Sequence, residues 1–401
     1  MEAPIRAFVT FASILGTSMF VFLAGCATAA EPQPGAGRWA SLQTPTDPGL
    51  QQVARSYSDG YLHRAWSAYV TFLLEATSRT SFADIEQCTS CPDLGGLGAQ
   101  VGASRSALPE LLPFCTRAAP EDKLDECRRW LEGELAFLGS RPGGNRLVTD
   151  VLPMVHYPGA PPLGGRPLVD VAWNGRTVKA LVDTGNPTTI LTSDSEERPA
   201  PLILRRLPNI RGELVEASLF EVSSLQLGAS LLKGAKAYWR ARRPSDDPQT
   251  ILGANLGMDV LLRFSPVCFA WTEAVVYVGK LGPCKTGLVA HSAKLLPGGK
   301  LTLGMRAPDG MEFLASVDTG SGITFCSKRV SEMSGPDLRF EFGSGLGLFN
   351  RCWFDSTIRI GRRVGRDILI GVDTLAGYRA FGWELAPLRV FFVPADGPIA
   401  K

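Results

Sequence analysis

Histidine is scarce in this chain: only three occur among 401 residues, and His63, His156 and His291 are isolated from one another. This spacing excludes a zinc site of the His-Glu-x-x-His kind, which needs two histidines on one helix face. A Gly-x-Ser-x-Gly elbow is also missing, which excludes a serine hydrolase built on that turn. We therefore expect no metal and no cofactor, and we expect each histidine to be an ordinary surface or core residue.

The chain also lacks a strong charge of either sign. It has 41 basic and 39 acidic side chains, a formal net charge of +2, and no basic run. Nucleic-acid binding is therefore excluded as a class, because it needs a concentrated basic surface. Hydrophobic residues at 45% and charged residues at 20% lie in the globular range, and the length predicts two or three domains.

The N-terminus has no apolar run long enough for a comfortable membrane span. Residues 8–24 are apolar, follow Arg6 and end in small residues, which predicts an export signal. Residues 26–49 are rich in proline, glycine and alanine and have no periodicity, so we expect a flexible tether.

The end of the apolar run, residues 23–26 with the sequence Leu-Ala-Gly-Cys, resembles a bacterial lipobox. That resemblance implies a signal peptide over 1–25, lipid attachment to Cys26, and a membrane-anchored protein of the bacterial cell envelope that faces the periplasm or the surface. Ala27 favours the outer membrane by resemblance to lipoprotein sorting rules. The alternative is an ordinary signal peptide cut after residues 27–29, which would leave a soluble periplasmic protein.

Cysteine usage fits export. Of nine cysteines, a lipidated Cys26 leaves an even number, and an even number in an exported chain predicts disulfides. The candidates are Cys88, Cys91, Cys115, Cys127, Cys268, Cys284, Cys326 and Cys352. Their order favours the local pairs Cys268–Cys284 and Cys326–Cys352 and leaves the pairing of the first four open. A thioredoxin-like redox pair at Cys88 and Cys91 is an alternative, although no strand–helix–strand pattern surrounds it.

An internal repeat organises the C-terminal part, since Val-Asp-Thr-Gly occurs twice. The first copy follows a strand-like run over 167–173, a hairpin signal at Asn174-Gly175 and a returning strand over 178–182. The second copy follows the same pattern over 301–305, 308–310 and 313–317. Each turn glycine lies at the same distance before its aspartate, so the two hairpins are equivalent.

The repeat continues downstream as apolar-Gly-x-Asp-x-Leu, at 256–261 and again at 370–375. Each copy is followed by two further strand-like runs, 268–271 with 274–278 and 380–383 with 388–393. Two Asp-Thr-Gly sequences in equivalent hairpins, each with an equivalent later glycine, are a specific signal.

On these motifs, residues 160–396 resemble the aspartic peptidase family, both the half-sized retroviral enzymes and the two-lobed pepsin type. The resemblance implies a mainly β fold in which two tandem retropepsin-like lobes, 160–285 and 295–396, form a bilobal acid-protease fold. A small disulfide-containing α-helical domain over 50–148 would precede them. The two aspartates lie 135 residues apart, which suits a fusion of compact lobes in one monomer. Pairing of like lobes between two chains in a homodimer is the alternative.

The resemblance also implies the chemistry. Asp183 and Asp318 would share one proton and activate a water, making the protein an endopeptidase that hydrolyses extended peptide or protein segments. Supporting roles fall to Thr184, Gly185, Asn186, Thr319, Gly320, Ser321, Gly257 and Gly371. Ser321 stands where the family hydrogen-bonds the outer carboxylate oxygen, and Asn186 departs from the family at the matching position, although an amide can also donate. The alternative is a catalytically silent relative that binds a peptide or an envelope partner.

Two further regions carry predictions. Hairpins over 207–227 and 338–360 would be flaps, the second with a glycine-rich tip over 343–347, and an ordinary surface loop is the alternative. In the N-terminal region the four-residue spacing predicts one helix, and a second helix is predicted over 124–138. The members of the first spacing are Val53, Tyr57, Tyr61, Ala65, Tyr69 and Leu73. This region would either support the lobes or act as an inhibitory pro-region.

Overall fold

The N-terminal part of the chain folds into helices in the computed structural model. The residues that the structure describes are 45–104, 109–138, 145–157, 165–193, 201–208, 214–241, 253–290, 292–307, 309–327, 330, 338–341, 346–349 and 367–395. The helices are α1 (Pro48–Ser58), α2 (Leu62–Glu75), α3 (Ser81–Gln87), α4 (Leu94–Val101), α5 (Phe114–Ala118), α6 (Leu124–Leu135), α7 (Met258–Leu261) and α8 (Val372–Leu375). Short 3₁₀ turns cover Pro109–Leu111, Glu121–Lys123, Leu262–Phe264 and Gly282–Thr286.

The single helix predicted by the four-residue spacing is two helices, α1 and α2. Asp47 caps α1 by accepting hydrogen bonds from the backbone N–H groups of Gly49 and Leu50 at 2.7 and 3.1 Å. The break comes at Gly60, whose φ of 82° lies in the left-handed region that ends helices. The spacing survives the break because the turn returns the chain to the same core, and only Tyr61, at the break, is 37% exposed. The second predicted helix is α6.

The disulfides settle part of the cysteine pairing. Cys88 bonds to Cys91 and Cys115 bonds to Cys127, so the first four cysteines pair with their nearest neighbours along the chain. The predicted Cys268–Cys284 pair is confirmed. Cys326 is disulfide-bonded, and both its predicted partner Cys352 and the lipidation candidate Cys26 lie outside the described residues.

The rest of the described chain is mainly β, as the sequence predicts. The strands are β1 (Asp150–Pro153), β2 (Val155–His156), β3 (Pro167–Trp173), β4 (Arg176–Val182), β5 (Ile190–Ser193), β6 (Ile203–Pro208), β7 (Leu214–Leu227), β8 (Ser230–Ala241), β9 (Ala254–Leu256), β10 (Val267–Ala270), β11 (Val275–Val278), β12 (Leu288–Ala290), β13 (Ala293–Leu296), β14 (Lys300–Arg306), β15 (Glu312–Val317), β16 (Phe325–Cys326), β17 (Leu338–Glu341), β18 (Leu346–Phe349), β19 (Ile368–Ile370), β20 (Tyr378–Glu384) and β21 (Arg389–Pro394).

The described strands form three sheets. The first has the order β2-β3-β4-β9-β5-β8-β7-β6, and β3 also pairs with β7. The second has the order β16-β19-β15-β14-β17-β18, with β13 paired to β14. The third has the order β1-β11-β10-β20-β21-β12.

The sequence repeat is also a repeat of topology. In the first sheet the hairpin β3–β4 is followed by parallel pairing of β4 with β9 and antiparallel pairing of β5 with β9. In the second sheet β14–β15, β15 with β19 and β16 with β19 repeat those three relations. We call residues 165–278 the first repeat and residues 292–394 the second repeat. The turn between β3 and β4 uses Asn174 and Gly175 at φ 48° and 80°, as the Asn-Gly hairpin signal predicts.

The third sheet joins the two repeats. Its central pair is β10 from the first repeat and β20 from the second, in antiparallel register with Phe269 opposite Phe381. These two rings and Trp383 are fully buried, with centroids 6.1 Å apart for the phenylalanines. The sequence predicts these strands, but their pairing across the repeats is a tertiary property that periodicity along the chain does not report.

The hairpins predicted as flaps exist as strand pairs. β6 pairs with β7 in the first repeat and β17 pairs with β18 in the second. Residues 209–213 and 342–345, which include most of the glycine-rich tip, lie outside the described residues. Whether these hairpins close over a ligand stays a prediction.

The helical region packs directly on the second repeat. Lys294 of β13 forms an ion pair with Asp59 at 2.6 Å, and the N–H of Leu388 donates to the Asp59 carbonyl at 2.8 Å. One cluster of buried apolar side chains extends from α1 through both repeats. None of the described helices has the length and apolar character that a membrane crossing requires.

Candidate active site

The two Asp-Thr-Gly loops start where a hairpin strand ends beside its parallel partner. Asp183 follows β4, and its N–H donates to the carbonyl of Leu256 in β9 at 3.0 Å. Asp318 follows β15, and its N–H donates to the carbonyl of Ile370 in β19 at 2.9 Å. The same ladder therefore fixes the backbone of both aspartates.

A reciprocal set of threonine hydrogen bonds ties the loops together. The Thr184 hydroxyl donates to the Val317 carbonyl at 3.0 Å and accepts the N–H of Thr319 at 3.0 Å. The Thr319 hydroxyl donates to the Val182 carbonyl at 2.5 Å and accepts the N–H of Thr184 at 3.1 Å. Both threonines are fully buried, so each hydroxyl satisfies groups that would otherwise be unpaired in the interior.

Each glycine of the loops lies against the aspartate of the other loop. A Cβ added at Gly185 would lie 2.3 Å from Cγ of Asp318, and one added at Gly320 would lie 2.3 Å from Cγ of Asp183. Each glycine N–H also donates at 2.9 Å to Oδ1 of the aspartate in its own loop. Only a residue without a side chain fits between the loop backbone and the opposite carboxyl group.

The structure thus brings Asp183 and Asp318 together, with a hydrogen bond between their side chains. The pKa of Asp318 is raised well above its ordinary value, first by burial and then by the charge of Asp183 and the hydrogen bond with it. Two carboxyl groups so close cannot both ionise easily, which favours a single proton shared by the pair.

The later glycines support the loops from below. Gly257 and Gly371 each donate their N–H to a threonine hydroxyl, that of Thr189 at 3.1 Å and that of Thr324 at 3.0 Å. A Cβ at Gly257 would lie 2.5 Å from the Thr188 carbonyl carbon, and one at Gly371 would lie 2.2 Å from the Ile323 carbonyl oxygen. Both glycines therefore occupy positions where the chain crosses closely beneath a loop.

The following helical turns pin the loops by their backbone. The N–H of Met258 donates to the Asn186 carbonyl and that of Val372 donates to the Ser321 carbonyl, both at 2.8 Å. Asp259 is buried in the first turn, and its Oδ1 accepts from the N–H and the hydroxyl of Thr189 at 2.9 and 2.8 Å. Burial raises the pKa of Asp259 to about 6, against the opposing effect of those hydrogen bonds.

Two supporting residues differ from the expectation. The hydroxyl of Ser321 donates to the Ile323 carbonyl at 2.6 Å rather than to a carboxylate. The side-chain oxygen of Asn186 accepts a 3.5 Å contact from the N–H of Thr188, and the amide that donates to Asp183 in the described structure is that of Asn255. Local turn bonds two residues ahead take up both side chains, which is the usual competition for serine and asparagine in loops.

Asn255 donates to the carboxylate instead. Its Nδ2 lies 2.8 Å from Oδ2 of Asp183, from a position in the middle of β9. We did not predict this residue as functional. The available signal was a polar residue at a strand position where the second repeat has Leu369, in a segment that is otherwise buried and apolar.

A cation also stands beside the loops. Arg166, just before β3, donates from Nη1 to the Gly320 carbonyl at 3.4 Å, and its guanidinium lies 4.3 Å from the centre of the Tyr157 ring. Burial lowers the pKa of Arg166, and the charges of Asp183 and Asp318 act in the opposite direction. No motif or repeat in the sequence marks this arginine.

The described histidines lie apart from the loops. His63 is exposed on α2, His156 makes a 3.0 Å hydrogen bond with the Gly165 carbonyl and stacks on Trp271, and His291 lies outside the described residues. Within the part of the chain that the structure describes, no three histidine, cysteine or acidic side chains are grouped so as to hold a metal ion.

Two carboxyl groups that share one proton can accept a proton from water and donate one to a carbonyl oxygen. The threonine and glycine bonds fix the geometry of the two carboxyl groups. No protein-family model matches the chain, and no curated protein matches it. The chemistry of these loops is therefore inferred from their residues and geometry.

Proposed function

We propose that this protein is an aspartic endopeptidase with a bilobal, retropepsin-like arrangement, in which the two repeats are the lobes. One observation carries the proposal: both Asp-Thr-Gly loops face each other, with their carboxyl groups in contact and their threonines cross-linked. A protein that only bound a peptide at these loops would have no need of two such carboxyl groups.

The mechanism uses only the dyad and a water molecule. The ionised aspartate takes a proton from water, the water oxygen attacks the peptide carbonyl carbon, and the protonated aspartate gives its proton to the carbonyl oxygen. Collapse of this tetrahedral species breaks the C–N bond, the nitrogen takes a proton from the dyad, and a hydroxyl of the tetrahedral species returns its proton to the dyad as the new carboxyl group forms. The pair ends with one proton again, ready for another peptide.

The experiment is hydrolysis of a mixed peptide library from acid to neutral pH by the wild type, Asp183→Asn and Asp318→Asn. We expect the wild type to cleave and each variant to lose at least about 100-fold in rate, because each removes one partner of the acid–base pair. Equal cleavage by all three proteins would end the proposal.

A catalytically silent peptide-binding protein is the second candidate. The observation that favours it is the Ser321 hydroxyl, which bonds to the Ile323 carbonyl and leaves the outer oxygen of Asp318 without that donor. On this alternative the library would stay intact while peptides bind with equal affinity to the wild type and both Asn variants.

We further propose that the protein is monomeric and held in the cell envelope by lipid on Cys26. Support comes from the lipobox-like residues 23–26 and from the disulfides of the folded part. Fractionation of cells expressing wild type and Cys26→Ser tests the anchor: the wild type should sediment with membranes and the variant should not. Sedimentation of the purified protein tests the monomer, and a concentration-dependent dimer would contradict it.

A further inference from the structure

The strands beneath the two loops differ at one position. Asn255 in β9 stands opposite Leu181 in the parallel neighbour and opposite Ile190 in the antiparallel neighbour. Leu369 in β19 stands in the same register, opposite Ser316 and Phe325. The two residues are therefore structurally equivalent, and an amide in one repeat replaces an isobutyl group in the other.

This replacement gives the two carboxyl groups unequal hydrogen bonding. Asp183 accepts the Gly185 N–H at Oδ1, at 2.9 Å, and the Asn255 amide at Oδ2, at 2.8 Å. Asp318 accepts the Gly320 N–H at 2.9 Å, and a leucine at the equivalent strand position offers no donor. A donated hydrogen bond favours the charged form of a carboxyl group, so the additional donor acts on one member of the pair only.

The amide is held at a cost. The Oδ1 atom of Asn255 is buried and has no hydrogen-bond partner among the described residues. An unpaired buried carbonyl is unfavourable by about 1–3 kcal/mol, and a leucine would avoid this penalty. The bond to Asp183 is the interaction in the described structure that sets Asn255 apart from Leu369.

Other charged groups near the pair do not create the same asymmetry. Arg166, from the segment before β3, faces both carboxyl groups, and Lys300, from the start of β14, acts on Asp318. The positive charge of Lys300 favours an ionised Asp318 and so opposes the effect of Asn255, but it acts on Asp318 less strongly than burial, the charge of Asp183 or the hydrogen bonds from Asp183 and Gly320. A direct hydrogen bond at 2.8 Å outweighs it.

We propose that Asn255 is a positioning residue that keeps Asp183 the ionised member and Asp318 the protonated member of the pair. This inference rests on the proposed function and assigns the roles within it. Asp183 takes the proton from water, and Asp318 gives its proton to the carbonyl oxygen of the substrate. The water oxygen forms the new bond to the carbonyl carbon. When the C–N bond breaks, Asp183 gives its proton to the leaving amine, and a hydroxyl of the tetrahedral intermediate returns a proton to Asp318.

The test exchanges the two residues. Asn255→Leu copies the second repeat, Leu369→Asn copies the first, and the double variant moves the amide from one loop to the other. Carboxyl-labelled aspartate is followed by ¹³C NMR against pH in each protein, and Asp183→Asn and Asp318→Asn assign the two signals. The pH dependence of kcat/KM is measured in parallel.

In the wild type we expect the Asp183 signal to ionise first. Asn255→Leu should move the first ionisation of the pair, and with it the acidic limb of kcat/KM, to higher pH by about one unit, since one charge-assisted hydrogen bond is lost. The double variant should ionise at Asp318 first and recover an acidic limb near that of the wild type. If Asn255 had a purely structural role, its substitution would lower stability without reversing the order in which the two aspartates ionise.

The titrations can also overturn the proposal. If Asn255→Leu left the first ionisation of the pair in place or moved it to lower pH, the amide would not stabilise the charge on Asp183 and the proposal would fail. If Asn255→Leu failed to fold, the single variant Leu369→Asn would decide by itself. On the proposal, this variant must bring the pH values at which the two carboxyl signals titrate closer together. The NMR titration does not need turnover, so a failure of the peptidase proposal would appear as absent cleavage with the titration order intact.

Discussion

Beneath the loop of the first repeat the strand carries Asn255, whereas the same register position in the second repeat is Leu369. The two loops otherwise share their framework. Each aspartate N–H bonds to the strand below, each threonine hydroxyl bridges to the other loop, and each glycine faces the opposite carboxyl group. What differs is the set of side chains that reach the carboxylates from outside this framework.

The comparison separates geometry from proton chemistry. The shared bonds involve backbone groups and buried threonines, which must be paired in both repeats wherever the loops meet. The groups that differ are Asn255 in the first repeat and the nearby cations, Arg166 and Lys300. Symmetry of the frame and asymmetry of the charges are therefore independent properties, and substitutions can address them one at a time.

The largest effect is expected at the two loop glycines, where the opposite carboxyl group leaves no space for a side chain. Gly185→Ala and Gly320→Ala would each place a methyl group 2.3 Å from the opposite carboxyl carbon. The loops must move apart, so we expect peptidase activity to fall about 100-fold or more and the free energy of unfolding to fall by about 1–3 kcal/mol. Peptide hydrolysis and urea unfolding measure the two losses.

Gly96→Ala is the matched control. Gly96 lies within the helix α4, and the nearest atom to an added Cβ is 3.8 Å away. This variant should be neutral or more stable by up to about 1 kcal/mol, since alanine favours helix. If Gly185→Ala kept wild-type activity, the close approach of the loops would not be needed for the chemistry. If only one of the two glycines were sensitive, the frame would be less symmetric than its hydrogen bonds.

A second difference between the repeats concerns the aspartates of the helical turns. Asp259 and Asp373 each accept a threonine hydroxyl, at 2.8 and 2.7 Å, and burial raises the pKa of both carboxyl groups, but Asp259 is the more deeply buried of the two. Burial raises the pKa of Asp259 to about 6 in the folded state. Its protonated form therefore contributes stability that is fully present below the unfolded pKa, about 4, and is lost as pH rises through about 6.

Asp259→Asn should remove that pH dependence, because asparagine matches the protonated acid and its oxygen can accept the same bonds. Relative to the wild type, the variant should gain up to about 3 kcal/mol in unfolding free energy between pH 4 and pH 7. Asp373→Asn should show a smaller change in the same direction, because Asp373 is less deeply buried. Urea unfolding across this pH range measures both, and equal slopes for the two variants would contradict the role of burial.

Sequence reasoning went furthest where the fold repeats itself. The hairpins, the Asp-Thr-Gly loops and the later glycines could be placed because each has a local signature that occurs twice. The break at Gly60 and the pairing of β10 with β20 could not, since a turn that preserves helical spacing and a contact between distant strands leave no mark on periodicity. Asn255 and Arg166 were missed because single residues without a repeat partner have no pattern.

Substitution of the cross-linking threonines should lower the unfolding free energy, and the effects of the two substitutions should not add. Thr184→Val and Thr319→Val each remove one hydroxyl that donates to a carbonyl and accepts an N–H across the loops. Each should lower the unfolding free energy by about 1–3 kcal/mol, because buried partners lose their hydrogen bonds. The double variant should cost less than the sum, since both hydroxyls serve one network.

Thermal and urea unfolding of the single and double variants form the required cycle. Thr302→Val is the control, because its hydroxyl is also buried but bonds within the second repeat, to Ser316 at 3.1 Å. Its effect should add to that of Thr184→Val. Strict additivity of Thr184→Val with Thr319→Val would show that the two halves of the cross-link act separately.

The smallest effect is expected from the cation of the first repeat. Arg166 bonds to the Gly320 carbonyl at 3.4 Å and faces both carboxyl groups. A nearby positive charge favours the ionised pair, so Arg166→Leu should move the acidic limb of kcat/KM to higher pH by about half a unit, and added salt should narrow the difference. Arg166→Lys keeps the charge and should stay near the wild type, while Arg176→Leu, at an exposed position next to the β3–β4 turn, should leave the limb in place.

An equal displacement of the acidic limb by Arg166→Leu and Arg176→Leu would assign the effect to the net charge of the protein. A displacement by Arg166→Lys as large as that by Arg166→Leu would assign it to the lost hydrogen bond to Gly320, and the frame and the charges would then not be independent at this position.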